Sequence, residues 1–205
     1  MRPSLFVIIF AAALMIRLTN IALLGASPDA LLVEDARLYW DSATALMAQG
    51  YDSVETVVRL LVNSERAPGY ILFLAGLREL FGDSFGAILI VQSILDSLSC
   101  ILIATIGAAV PSSLAPRLAL VSGLIAAATP NLVIHSGMIL SDTLFLFLFA
   151  VTLAAGARFL QNGSPRWATI AALSLGLAIV TRTLVLPLPL LMAPIAFAAP
   201  LMKGR

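Results

Sequence analysis

Long apolar runs set the terms for this chain. Residues 5–24 are apolar apart from Arg17, Thr19 and Asn20. About 20 residues of helix cross a hydrocarbon core of about 30 Å. Inside lipid every backbone polar group must be satisfied within the element itself, which favours helices. Further apolar stretches lie at 85–110, 118–130, 138–160, 167–180 and 184–202. Charged residues make up 11% of the chain and hydrophobic residues 60%, whereas a soluble domain averages about 25% charged. Water is therefore not the main solvent of this chain. The expected architecture is an all-α integral membrane protein, a multi-span helical bundle in a single transmembrane domain over 1–205. Leu24-Gly25-Ala26 resembles a leader cleavage site, but the first apolar stretch is long for a leader and more spans come after it.

Composition also removes several function classes. A formal net charge of +1 gives no basis for nucleic-acid binding. One cysteine, Cys100, cannot form an internal disulfide, and in an apolar run it reads as a small hydrophobe.

One segment breaks the apolar pattern. Residues 33–70 carry the acids Glu34, Asp35, Asp41, Asp52, Glu55 and Glu65 with the bases Arg37, Arg59 and Arg66. Charge at a membrane edge is costly and tends to be functional. This polar insert lies in a long first external loop, 27–83, with interfacial amphipathic helices. From Asp35, the residues Leu38, Ala43, Leu46 and Met47 recur near helical spacing until Gly50 stops the run, which suits a helix lying on the membrane. Residues 54–61 form a second short apolar stretch. Pro68 suits the first position of a further helix, where its missing N–H costs nothing. That helix, 68–81, is short for a crossing and ends in Arg78 and Glu79, so it reads as interfacial, with Gly82-Asp83-Ser84 as turn and cap. A tilted crossing by 68–81 is the alternative, and it would invert everything downstream.

The bases test this register. With six spans, Arg2, Arg117, Arg158, Arg166, Lys203 and Arg205 fall on the cytoplasmic side, and His135, Asp142 and Arg182 fall outside. The basic excess lies where the positive-inside rule places it.

On the outer side the loop meets Asp142 and Arg182, and Gln92 and Asp96 lie one helical turn apart part-way down 85–110. These groups suggest one aqueous recess next to lipid, suited to a substrate with an anionic head and an apolar tail. A carboxylate can take a proton from an incoming hydroxyl. An arginine can hold a phosphate through its two-pronged guanidinium and offset charge on a leaving phosphate. Each residue also has a structural reading. Asp35 can cap a helix, Glu34 can be solvated, and Asp142 can complement a helix dipole. Arg66 and Arg182 can snorkel to headgroups. Asp96 can bond a neighbouring helix, His135 can serve packing, and Tyr39 and Trp40 suit an interfacial aromatic belt.

The order of motifs carries a resemblance. Glu34-Asp35 is followed by Tyr39 and Ala43. Then come Arg66-Ala67-Pro68-Gly69-Tyr70, Phe73-Leu74 and Leu80-Phe81-Gly82. Later come Ser136, Ser141-Asp142-Thr143-Leu144-Phe145, and Gly176-Leu177-Ala178 before Thr181-Arg182. This series is similar to the N-terminal part of the GT-C membrane glycosyltransferases, in the protein mannosyltransferase and aminoarabinose-transferase-like group. The resemblance implies an enzyme that moves a sugar from a polyprenyl-phosphate donor to a hydroxyl acceptor on the non-cytoplasmic face. It places the base on Asp35, with Glu34 beside it, and substrate or phosphate contacts on Arg66, Arg182, Tyr39, Tyr70 and Asp142. It further implies a bacterial inner membrane, an outward-facing site, and as partners a lipid-linked sugar donor, membrane lipids and a possible membrane protein. Asp142 departs from the glutamate found in many relatives, and members of the group are usually much longer, so the chain is expected to be incomplete. No cofactor or metal is assigned; carboxylates near phosphates are compatible with a divalent ion, but no ligand spacing demands one. The rival readings are a lipid-linked substrate flippase, compatible with helix breaks at Pro130, Pro187 and Pro189, and a non-catalytic membrane subunit.

Overall fold

The computed structural model describes residues 3–25, 31–32, 35–49, 54–63, 66–191 and 193–194. Its helices are α1 (Pro3–Leu24), α2 (Asp35–Gln49), α3 (Val54–Asn63), α4 (Pro68–Phe81), α5 (Phe85–Ala108), α6 (Ala115–Ala128), α7 (Pro130–Ser136), α8 (Ser141–Asn162) and α9 (Pro165–Thr181). A 3-10 turn, Thr183–Val185, comes next. No strand occurs among the described residues, so the protein is an all-α membrane bundle.

Three helices, α1, α5 and α8, are long and apolar enough to cross a membrane. The pair α6 and α7 reaches that length together but bends by 55°. The break has a local cause. Pro130 lacks an N–H and pushes the residue before it out of the helical region, and Thr129 is extended at φ −65°, ψ 115°. Helix α9 is apolar but shorter, at 17 residues. The stretch expected over 184–202 opens with the 3-10 turn, and most residues beyond Leu191 lie outside the described ones. Helix α8 begins at Ser141 rather than at 138, because Leu140 is extended at φ −133°, ψ 156°. Its far end closes on Gly163, whose φ of +69° suits a residue without Cβ and lets its N–H bond the Phe159 carbonyl at 2.7 Å.

Two cores hold the fold. One joins α1, α5 and α6 through Ile9, Ala13, Cys100, Ala104, Ala126 and Ala127. Small residues there let helix backbones approach closely, the usual basis of packing in lipid. Arg17 is sealed inside this region at 0% exposure. Its Nε donates to Asp96 Oδ2 at 2.6 Å, and Nη1 donates to the Ala13 and Ala127 carbonyls at 3.0 and 3.2 Å. One cation thus ties three helices together.

The second core lays α2 and α4 against α5, with Tyr39, Leu46, Tyr70, Leu74 and Ile88 at its centre. Arg78 locks α2 onto α4. Its Nη1 donates to Thr44 Oγ1 at 2.7 Å and to the Trp40 carbonyl at 3.1 Å, its Nε donates to Asp83 at 2.7 Å, and its guanidinium lies 3.9 Å from the Trp40 ring centre. Helix α4 starts at Pro68 after an extended Ala67, and Ser84 caps α5 by accepting from the Ala87 N–H.

The single aqueous recess expected to include Gln92 and Asp96 is not what forms. Gln92 and Asp96 are buried, at 0% and 1% exposure. Asp96 is consumed by Arg17, and Gln92 by Tyr70 and the Met138 carbonyl. A buried charge in lipid must find a partner, and for Asp96 helix α1 supplies it.

Candidate functional site

The site is assembled from helix ends. Asp35 is the first residue of α2, and its Oδ1 accepts from Arg66 Nη2, just before α4. The side chains are 48% and 36% exposed, so the pair is anchored yet open to water. Glu34 lies outside the described residues.

One turn into α2, Tyr39 is buried, and its hydroxyl donates to Ser141 Oγ at 3.1 Å. The Tyr39 ring meets Tyr70 edge to face, with centroids 4.8 Å apart. Tyr70 is fully buried and donates to Gln92 Oε1 at 2.5 Å. Gln92 Nε2 in turn donates to the Met138 carbonyl at 2.7 Å, which pins the turn leading into α8. Burial first, then the nearby Tyr39 and the Asp142 charge, hold the Tyr70 phenol well above its ordinary pKa, so it stays a neutral donor.

The other half of the site comes from α7, α8 and α9. Asp142 lies in the first turn of α8, where a carboxylate complements the helix dipole. Its Oδ1 accepts from Arg182 Nη1, and Arg182 is the residue that ends α9. Its Oδ2 lies 3.9 Å from His135 Nδ1, on the last turn of α7. Side-chain exposures are 31% for Asp142 and 43% for Arg182, again an anchored but open pair.

A close backbone approach joins the halves. A Cβ on Gly69 would lie 2.7 Å from Thr181 Oγ1, 2.8 Å from its N and 2.9 Å from its Cα. Only glycine permits that crossing of the start of α4 against the end of α9. Arg66 and Arg182 flank the contact in sequence, so it brings both arginines, each with its aspartate, to one end of the bundle. Asp35, Tyr39, Arg66, Tyr70, Asp142 and Arg182 therefore gather together, with the tyrosines buried beneath the charges.

The arrangement offers two half-exposed carboxylates and two half-exposed guanidiniums over a floor of neutral hydroxyls. It can orient an anionic group, and it can present a carboxylate to a hydroxyl. Among the described residues no three His, Cys, Asp or Glu side chains converge as a metal set.

Three residues act otherwise than their sequence context suggests. His135, expected to serve packing, flanks Asp142. Gln92, read in the sequence only as lying part-way down its span, braces Tyr70. Arg17, the lone charge of the first apolar run, holds the bundle together, and the sequence carries a signal for it: one cation and one anion in different apolar spans require each other.

The family model described as dolichyl-phosphate-mannose-protein mannosyltransferase matches residues 65–203, more than half of the chain. No curated protein and no solved structure matches.

Proposed function

This chain belongs to the dolichyl-phosphate-mannose-protein mannosyltransferase family, membrane glycosyltransferases of the GT-C type, and on that premise we propose the reaction it serves. A sugar moves from a polyprenyl-phosphate carrier to a hydroxyl acceptor on the non-cytoplasmic face, with the loop 27–83 external. Asp35 is the general base. It takes the proton of the acceptor hydroxyl as that oxygen bonds to the anomeric carbon and the carbon–oxygen bond to phosphate breaks. The leaving prenyl phosphate carries away the bonding electrons, and Arg66 and Arg182 offset its charge. Glu34 neighbours the base. Asp142 orients Arg182, and Tyr39 and Tyr70 form the floor beneath the substrate.

The observation that carries this reading is the meeting of the Asp35–Arg66 and Asp142–Arg182 pairs at one end of the bundle. Arg66 engages one oxygen of Asp35 and leaves the carboxylate half exposed, which fixes a base without sealing it from an acceptor. The distribution of bases supports the outward orientation.

The test combines transfer and sidedness. Membranes carrying the chain should move label from polyprenyl-phosphate mannose to a hydroxyl acceptor. Cys100 is buried, so an Asp41→Cys variant gives an impermeant maleimide one accessible thiol. Labelling of intact cells is expected; labelling only after lysis would overturn the outward assignment.

A further inference from the structure

His135 is the only histidine in the chain. Its Nδ1 is shielded from water and has no hydrogen-bond partner among the described residues. The Asp142 carboxylate lies 3.9 Å away, too far for a hydrogen bond but within ion-pair range. The backbone around it is tied down. Asn20 Nδ2 and Ser136 Oγ donate to the Val133 carbonyl at 3.1 and 2.8 Å, and Thr143 Oγ1 donates to the His135 carbonyl at 3.4 Å. A shielded ring nitrogen without a partner is costly, and a proton on it makes a donor facing a carboxylate.

We propose that His135 sets the charge of the Asp142–Arg182 group, and that as an imidazolium it frees Arg182 to hold a singly charged phosphodiester headgroup. This rests on the reading of Arg182 as a phosphate contact. With neutral imidazole, Asp142 cancels Arg182 and the group is neutral. With imidazolium, Asp142 is shared between two cations and the group carries one positive charge. Arg182 spends only Nη1 on Asp142 among the described residues, so its remaining nitrogens can meet the headgroup. Of the other charges on helices packed against α7, Asp96 on α5 faces His135 electrostatically but is already paired with Arg17 of α1, Cys100 is a buried thiol, and Arg117 on α6 and Arg158 on α8 lie at the ends of their helices away from α7. A proton on the imidazole adds one positive charge beside Asp142, so the headgroup is held more tightly by the protonated form.

The experiment measures binding, not turnover. A fluorescent farnesyl methyl phosphodiester is titrated onto the full chain in phosphatidylcholine nanodiscs at about pH 5 and about pH 8. A diester keeps one charge across that range, so only the protein titrates. About fivefold tighter binding at the acid end is expected, the effect of one partly exposed charge. His135→Gln should hold the weak affinity at both pH values. His135→Lys should hold the tight affinity at both, an outcome that misfolding cannot produce. Dimethyl phosphate should displace the probe with the same pH dependence, which assigns the effect to the headgroup rather than the tail. Equal wild-type affinity at both pH values, or pH dependence retained in His135→Gln, overturns the proposal. Absence of sugar transfer would sink the enzymatic reading while leaving this binding result intact.

Discussion

The Arg17–Asp96 pair and the Arg66–Asp35 pair use the same two side-chain types in opposite surroundings. The first is 0% and 2% exposed, crosses between α1 and α5, and spends its remaining donors on carbonyls of α1 and α6 and on the Cys100 sulfur of α5. The second is 36% and 48% exposed and joins two helix starts at the end of the bundle. A sealed pair has no room for substrate, and its carboxylate cannot reach a hydroxyl. It fixes which helices pack. A half-open pair keeps a carboxylate oriented at little cost in desolvation and leaves it available for chemistry. Exposure, not residue type, separates the scaffold pair from the candidate-site pair.

The comparison can be broken at either member. Removing one partner of a sealed pair leaves a bare charge, so Arg17→Leu should lower stability by about 3–5 kcal/mol, read as thermal unfolding in detergent. The double variant Arg17→Leu with Asp96→Leu should recover most of that loss, because apolar replacements of a buried pair are often neutral. A single variant as stable as wild type would show that the pair is not the lock described. At the open end, Arg182→Gln should raise KM for the lipid-linked donor about tenfold or more with little change in melting temperature. A variant that melts early with an unchanged KM would make Arg182 part of the scaffold instead. Gly69→Ala tests the junction of the halves. Its new Cβ would press on the Thr181 backbone, an overpacking expected to cost about 1–3 kcal/mol, and trimming Thr181 should not rescue it because two of the three close atoms are backbone. The smallest effect is expected at the exposed Glu55–Arg59 pair of α3, where Glu55→Ala should change stability by less than about 0.5 kcal/mol.

Local chemistry is legible in the sequence. Pro68 opens α4, Ser84 caps α5, and Pro130 breaks α6 from α7, because each acts on its own backbone. Adjacency is not legible there. Tyr39 bonds Ser141 across 102 positions, and Arg17 bonds Asp96 across 79. No periodicity reports which helices are neighbours, so the sequence allows Asp96 to bond a neighbouring helix without naming Arg17 of α1 as its partner, or Tyr70 of α4 as the partner of Gln92. The start of α8 differs from its expected place for a related reason. Hydropathy runs on through 138–140, while Gln92 holds the Met138 carbonyl and the chain is extended at Leu140. Asp35, Arg66, Asp142 and Arg182 can be named from the sequence as polar residues on one side, but their meeting as two open ion pairs depends on the Gly69–Thr181 contact.

The most direct measurement is transfer rate and melting temperature on the same preparation of the Asp35→Asn variant. Loss of a general base should slow transfer from polyprenyl-phosphate mannose by about 100-fold or more while the protein melts close to wild type. An unchanged rate in that folded variant would contradict the account.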